Sequence, residues 1–155
     1  MSDGAPQVEM IYFEDFQIGE KRLVGTYVVS KEEGIEFASR WEPQPYHVDE
    51  RAAAASMYGG LTIASLHLFA ICTLLFLRRD EPVAVTGMLG KDEVRFPKAA
   101  RPGEEIRYFT ECVDKRLSRS RVDSGIVTLR DVLSNPADEP LLTQKVTLMV
   151  ARRPA

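Results

Sequence analysis

Histidine and cysteine are both scarce in this chain, with two of each among 155 residues. Two cysteines, Cys72 and Cys112, are too few for a disulfide framework; as free thiols they fit a reducing compartment, so a cytoplasmic location is expected. There is no CxxC, no HExxH and no close set of ligands at metal-binding spacing, so no metal is expected. No charge sign dominates either. The 20 Lys and Arg stand against 23 Asp and Glu, a net charge of −3, without the basic excess that marks a nucleic-acid-binding surface. A membrane-length apolar run is also missing. The most apolar stretch, "LHLFAICTLLFL" from Leu66 to Leu77, falls short of the ~20 residues that span a bilayer. It reads instead as a buried helix. The opening "MSDGAPQVEM" lacks a basic segment leading into an apolar one, so no secretory signal is expected, and residues 1–10 are expected to be loose.

What is present is an ordinary globular composition, 45% hydrophobic and 28% charged, long enough to bury a sizeable core as one domain over residues 1–155. "VGTYVVS" predicts a strand ending at Ser30. "SKEE" has capping-box spacing, with Ser30 at the N-cap and Glu33 three residues on. Ile35, Ala38 and Trp41 then recur at helical spacing, which predicts an amphipathic helix over 31–41. A second short helix is expected at "DERAAAAS", capped by Asp49. The apolar helix follows from about Ala64 to Leu77 and, being apolar almost all round, must be wrapped on most sides.

Beyond Pro82 the chain changes character. "VAVTGML", "KDEVRFP", "EEIRYFTECVD", "SRVDSGIVTLRDVL" and "LLTQKVTLMVARR" are rich in Val, Ile, Thr and aromatics and are separated by turn signals such as "RPGEE" and "SNPADEP". In the last of them Leu142, Val146, Leu148 and Val150 alternate with Thr143, Lys145 and Thr147, a strand with one buried face. A long buried helix followed by about four antiparallel strands makes an α+β architecture, and one sheet against so apolar a helix must curl around it.

The stretch that points to chemistry is "WEPQPYHVDE", residues 41–50. It holds Glu42, Pro43, Pro45 and His47 together, and the prolines predict a stiff bent loop after the first helix. An acid and an imidazole at this spacing can share proton transfers to one water. The bland reading is a solvated acid that ends a helix beside a structural histidine. For His67, two residues past Ser65 in the apolar helix, a buried ring bonded to a neighbour is the expectation.

The order of strand, capped helix, acid-x-Gln-Pro-x-His loop, Gly-Gly turn, buried helix, "VRFPKAARPGEEI" and "SRSRVDSGIVTL" resembles the MaoC-like dehydratases. These form the branch of hotdog-fold proteins that includes the (R)-specific enoyl-CoA hydratases. The resemblance runs from about Tyr12 to Arg153. It implies a hotdog fold, a curved antiparallel sheet wrapped around the central helix, and a homodimer or higher homo-oligomer with the site near the interface. It further implies a 2-enoyl-CoA/3-hydroxyacyl-CoA hydratase with Glu42 and His47 as acid/base pair and the Ser65 N–H as oxyanion donor. Gln44, Gly59, Gly60 and Ala64 would line the acyl thioester, with no cofactor beyond the coenzyme A of the substrate and with neither nucleic acid nor membrane as partner. Three departures stand out. Glu42 is one methylene longer than the family's aspartate, Gln44 stands in place of asparagine, and Ala64-Ser65 replaces a pair ending in glycine. A thioesterase on the same fold and a non-catalytic acyl-CoA-binding module are the rival readings.

Overall fold

The computed structural model describes residues 7–155; residues 1–6, part of the segment expected to be loose, lie outside them. A single 3₁₀ turn at Phe13–Asp15 precedes strand β1 (Lys21–Val28) and helix α1 (Lys31–Trp41). Two short helices follow, α2 (Pro45–Val48) and α3 (Glu50–Ala55), then the long helix α4 (Ser65–Leu77). The remainder is sheet: β2 (Val85–Arg95), β3 (Glu105–Leu117), β4 (Ser124–Ser134) and β5 (Pro140–Ala151). All five strands form one antiparallel sheet in the order β1-β3-β4-β5-β2. The sheet is open, with β1 and β2 at its edges, and it wraps α4 in the hotdog manner.

The local reasons are mostly those read from the sequence. Ser30 Oγ accepts the Glu33 N–H at 3.1 Å and starts α1, and Asp49 accepts the Ala52 N–H at 2.7 Å and starts α3. The Glu33 side chain, however, does not close the capping box. It accepts the Tyr27 hydroxyl at 2.6 Å instead. The expected loop from Pro43 to His47 is partly helical: Pro45 occupies the first position of α2, where its fixed φ suits a helix and its missing N–H costs nothing. Two segments read as separate strands, around Val85 and Lys91, are one strand. Register shifts at Val85/Gly87, Met88/Gly90 and Asp92/Arg95 interrupt its alternation, and such bulges bend a strand without ending it.

One face of the sheet packs on α4. Leu68, Ile71 and Leu75 meet Ile106, Tyr108, Leu133 and Leu142, all buried, and each such side chain contributes ~1.5–3 kcal/mol on leaving water. A second cluster at the far end joins Phe13, Cys112, Val127, Leu129 and Val150. Packing there is close enough that a Cβ on Gly125 would fall 2.1 Å from Phe13 Cδ2. The alternation read in β5 holds, with Gln144 occupying a buried position between Leu142 and Val146. Cys72 and Cys112 are free and buried. Among the described residues no helix is long and apolar enough to cross a membrane.

Candidate active site

Glu42 is the residue at which α1 ends. Its N–H is bonded to Ala38 O at 2.8 Å and its backbone is no longer helical (φ −152, ψ 69). That break swings the side chain to the start of α4. Ala64, at the N-cap of that helix, has no side chain able to cap it. Glu42 does so from outside: Oε2 accepts the Leu66 N–H at 3.2 Å, and Ser65 Oγ lies 3.1 Å from both carboxylate oxygens. A carboxylate at a helix N-terminus meets unsatisfied N–H groups and the positive end of the helix dipole.

His47 is carried on α2 and is 6% exposed. Its Nδ1 lies 2.8 Å from Thr62 O and 2.9 Å from Thr62 Oγ1. A carbonyl oxygen only accepts, so Nδ1 carries the hydrogen in that contact, which in the neutral ring leaves the lone pair on Nε2. Nε2 lies 3.8 Å from Glu42 Oε1, too far for a direct hydrogen bond and the right span for one water to touch both. Tyr46 sets its ring edge-on to the imidazole, centroids 4.5 Å apart.

Glu42, His47 and Ser65 open together onto one cleft of about 410 Å³, shared with Thr62, Leu68 and the Phe96–Ala100 segment. The Ser65 N–H has no acceptor among the described residues, whereas the Leu66 N–H is taken by Glu42. Two bases thus face a vacant helix-terminal donor, the arrangement needed for proton transfer at a carbon next to a carbonyl whose oxygen gains charge.

The other expected site residues sit differently. Gln44 is exposed at the N-cap of α2, and Ala64 is fully buried. Gly59 and Gly60 lie on the loop between Tyr58 and Thr62, two residues of the cleft lining, and are not themselves part of that lining. Gly59 has φ +67, a conformation glycine tolerates best. Their loop is held by Arg101, which donates to Gly60 O at 3.0 Å, to Leu61 O at 3.3 Å and to Tyr58 O. Thr62 and Arg101 are the residues sequence reasoning passed over. Thr62 hid in an apolar run, and the partners of Arg101 lie about forty positions earlier. In the basic segment "KRLSRSR", residues 115–121, Lys115 donates to Phe13 O and Phe16 O, and Arg121 pairs with Asp123.

The family model of the MaoC like domain matches residues 15–132. Among solved structures, a MaoC-like dehydratase from Rhodospirillum rubrum is 31% identical, with a TM-score of 0.86 over 94% of this chain and 99% of that one. The uncharacterized protein YdeM of Bacillus subtilis is 25% identical over 143 residues, 90% of this chain and 98% of that protein. The (R)-hydratase PhaJ1 from Pseudomonas aeruginosa shares the fold, with a TM-score of 0.77 at 17% identity over 94% of this chain and 89% of that one.

Proposed function

The chain belongs to the MaoC-like hydratase/dehydratase family, and from that premise we propose that it interconverts a 2-enoyl-CoA and a 3-hydroxyacyl-CoA. The observation that carries this reading is the 3.8 Å gap between His47 Nε2 and Glu42 Oε1 at the N-terminus of α4. A water seated between them would be polarised by two acceptors at once. Its hydroxyl bonds to Cβ, and the proton it releases is held by the Glu42–His47 pair and returned to Cα. The charge that gathers meanwhile on the thioester oxygen is met by the Ser65 N–H and the helix dipole. Dehydration is the same path reversed. The scheme uses only water and protons, so no metal or redox cofactor enters it.

The same reading makes the protein a cytoplasmic homodimer or higher homo-oligomer, with a second copy beside the cleft. Trp41, Met57, Leu66 and Phe96 are exposed apolar side chains on or next to the cleft rim, which supports a protein surface covering it. Coenzyme A is the carrier in this proposal.

The test is loss of the enoyl chromophore with a panel of 2-enoyl-CoAs, with free thiol followed in the same sample. Hydration without thiol release, lost in Glu42→Gln and in His47→Ala, is the expected result. Thiol release would make the protein a thioesterase, and tight acyl-CoA binding without turnover would make it a binding module. Either outcome overturns the hydratase.

A further inference from the structure

Beneath the second half of α4 lies another cavity, of about 180 Å³. Phe76, Leu77, Val85, Met88 and Leu129 make most of its wall apolar, yet Cys72, Tyr108, Asp131 and Lys91 also border it. None of these takes part in the hydration scheme.

Asp131 is 3% exposed and its carboxylate is saturated. Oδ1 accepts from Tyr108 Oη at 2.9 Å and Thr110 Oγ1 at 2.8 Å; Oδ2 accepts from Gln144 Nε2 at 3.1 Å and Cys72 Sγ at 3.6 Å. Four donors fill a carboxylate, so Asp131 has no capacity left for a ligand. Burial, and after it the charge of Asp131, push the Cys72 thiol and Tyr108 hydroxyl well above their ordinary values. Both therefore keep their hydrogens, already directed at Asp131.

Lys91 differs from its neighbours. It gives one hydrogen to Gln144 Oε1 at 3.3 Å, and Nζ stands 5.3 Å from the Phe69 ring centroid. Among the described residues no carboxylate pairs with it within 4.0 Å. Two N–H donors of a half-buried cation thus remain open in a largely apolar wall, an arrangement complementary to an anion.

Phe69 connects Lys91, on the cavity wall, with the catalytic cleft. Its ring stands edge-on to Phe96, centroids 5.5 Å apart, and Phe96 lines the cleft. Along α4, at 1.5 Å per residue, Phe69 lies ~6 Å and Thr73 ~12 Å beyond Ser65. An extended chain advances ~1.2 Å per bond, so an acyl tail of about eight carbons held at Ser65 reaches ~8 Å along α4, past Phe69, the ring that Lys91 faces.

We propose that this cavity receives the distal end of the acyl chain and that Lys91 selects a chain ending in a carboxylate, the coenzyme A monothioester of a dicarboxylic acid. The proposal rests on the reading of the cleft as an acyl-thioester site, and its test uses binding so that turnover is not required. Suberyl-CoA and octanoyl-CoA, saturated and of equal length, are titrated calorimetrically into the wild-type protein and into Lys91→Met and Lys91→Gln. The expected result is suberyl-CoA bound about tenfold more tightly than octanoyl-CoA by the wild type, and the preference lost in both variants. Equal affinities in the wild type, or a preference unchanged by either substitution, overturns the role of Lys91 and leaves the hydratase reading intact. Failure of both thioesters to bind overturns the two readings together.

Discussion

Ser65 Oγ lies 3.1 Å from both carboxylate oxygens of Glu42, so the hydroxyl that replaces the family's glycine holds the acid that replaces the family's aspartate. These two departures from the pattern are in contact. A glutamate has one more rotatable bond than an aspartate, and the serine hydroxyl with the Leu66 N–H fixes its end. Glu42→Asp withdraws the carboxylate from both donors and is expected to lower kcat ~100-fold, the effect of a misplacement near 1 Å. Ser65→Ala is expected to lower it about tenfold, the loss of one charge-assisted hydrogen bond. In Glu42→Asp/Ser65→Ala the losses should not multiply, because the first substitution already removes the contact that the second deletes. Steady-state kinetics on the four proteins measure this. A double variant as slow as the product of the singles shows that the contact has no role.

Thr62 supports His47, the other half of the proposed acid/base pair, with its carbonyl and its hydroxyl, at 2.8 and 2.9 Å from Nδ1. Thr62→Val keeps the carbonyl, so the hydrogen should stay on Nδ1 and kcat should fall only a few-fold. His47→Gln removes the base and should cost ~10²–10⁴-fold. Nitrogen chemical shifts of the imidazole report the tautomer directly. A hydrogen on Nε2 in the wild-type protein would contradict the assignment of that nitrogen as the free base.

Arg101 anchors the Gly59-Gly60 loop through three carbonyls. Arg101→Met leaves these oxygens to water or to nothing and is expected to destabilise the fold by ~2–3 kcal/mol, the range for hydrogen bonds to a charged group. Denaturant unfolding measures the loss. Amide exchange should place it in residues 56–62, the loop that carries Thr62. Arg101→Lys should restore little, since a single ammonium cannot reproduce the planar fork.

How much of this the sequence disclosed depends on the range of each interaction. Ser30, Asp49 and the α4 run act within one turn of chain, so capping rules and hydropathy read them directly. The alternation of β5 was equally plain, because a strand with one buried face imposes a period of two. The bulges of β2 broke that period, and one strand looked like two. At the site, Glu42 and His47 stood out through the two prolines and a family pattern. Ser65 stood out through the same pattern, for its N–H and not for its hydroxyl bond to Glu42 across 23 positions; Thr62 and Arg101 did not, because they act across 15 and about forty positions of chain. The saturation of Asp131 joins β3, β4, β5 and α4, and no local pattern predicts such a meeting. Gln144 shows this most clearly: an amide in a buried register looks like a flaw until its partners Lys91, Asp131 and Cys72 are seen.

The second histidine should make stability depend on pH. His67 is 4% exposed, stacks on Phe37 with centroids 4.2 Å apart, and has Nδ1 buried without a partner among the described residues. Its Nε2 lies 3.5 Å from Glu33 Oε1, an oxygen that also accepts the Tyr27 hydroxyl. Burial lowers the pKa of the imidazole below its ordinary value, and the charge of Glu33 opposes that shift without cancelling it. In the unfolded chain His67 takes up a proton near pH ~6.5. Above that pH it is neutral in both states and titration makes no difference. As the pH falls through this value the unfolded chain is protonated first, so unfolding gains and stability drops until the folded-state pKa is also passed. The wild-type Tm should therefore fall more steeply between pH 7 and pH 5 than that of His67→Phe, which keeps an aromatic ring against Phe37 but carries no titrating group. Carboxylates elsewhere titrate in both proteins and cancel in the comparison. Equal slopes would show that the imidazole is protonated as readily in the folded protein as in the unfolded chain, with Glu33 supplying the compensating charge.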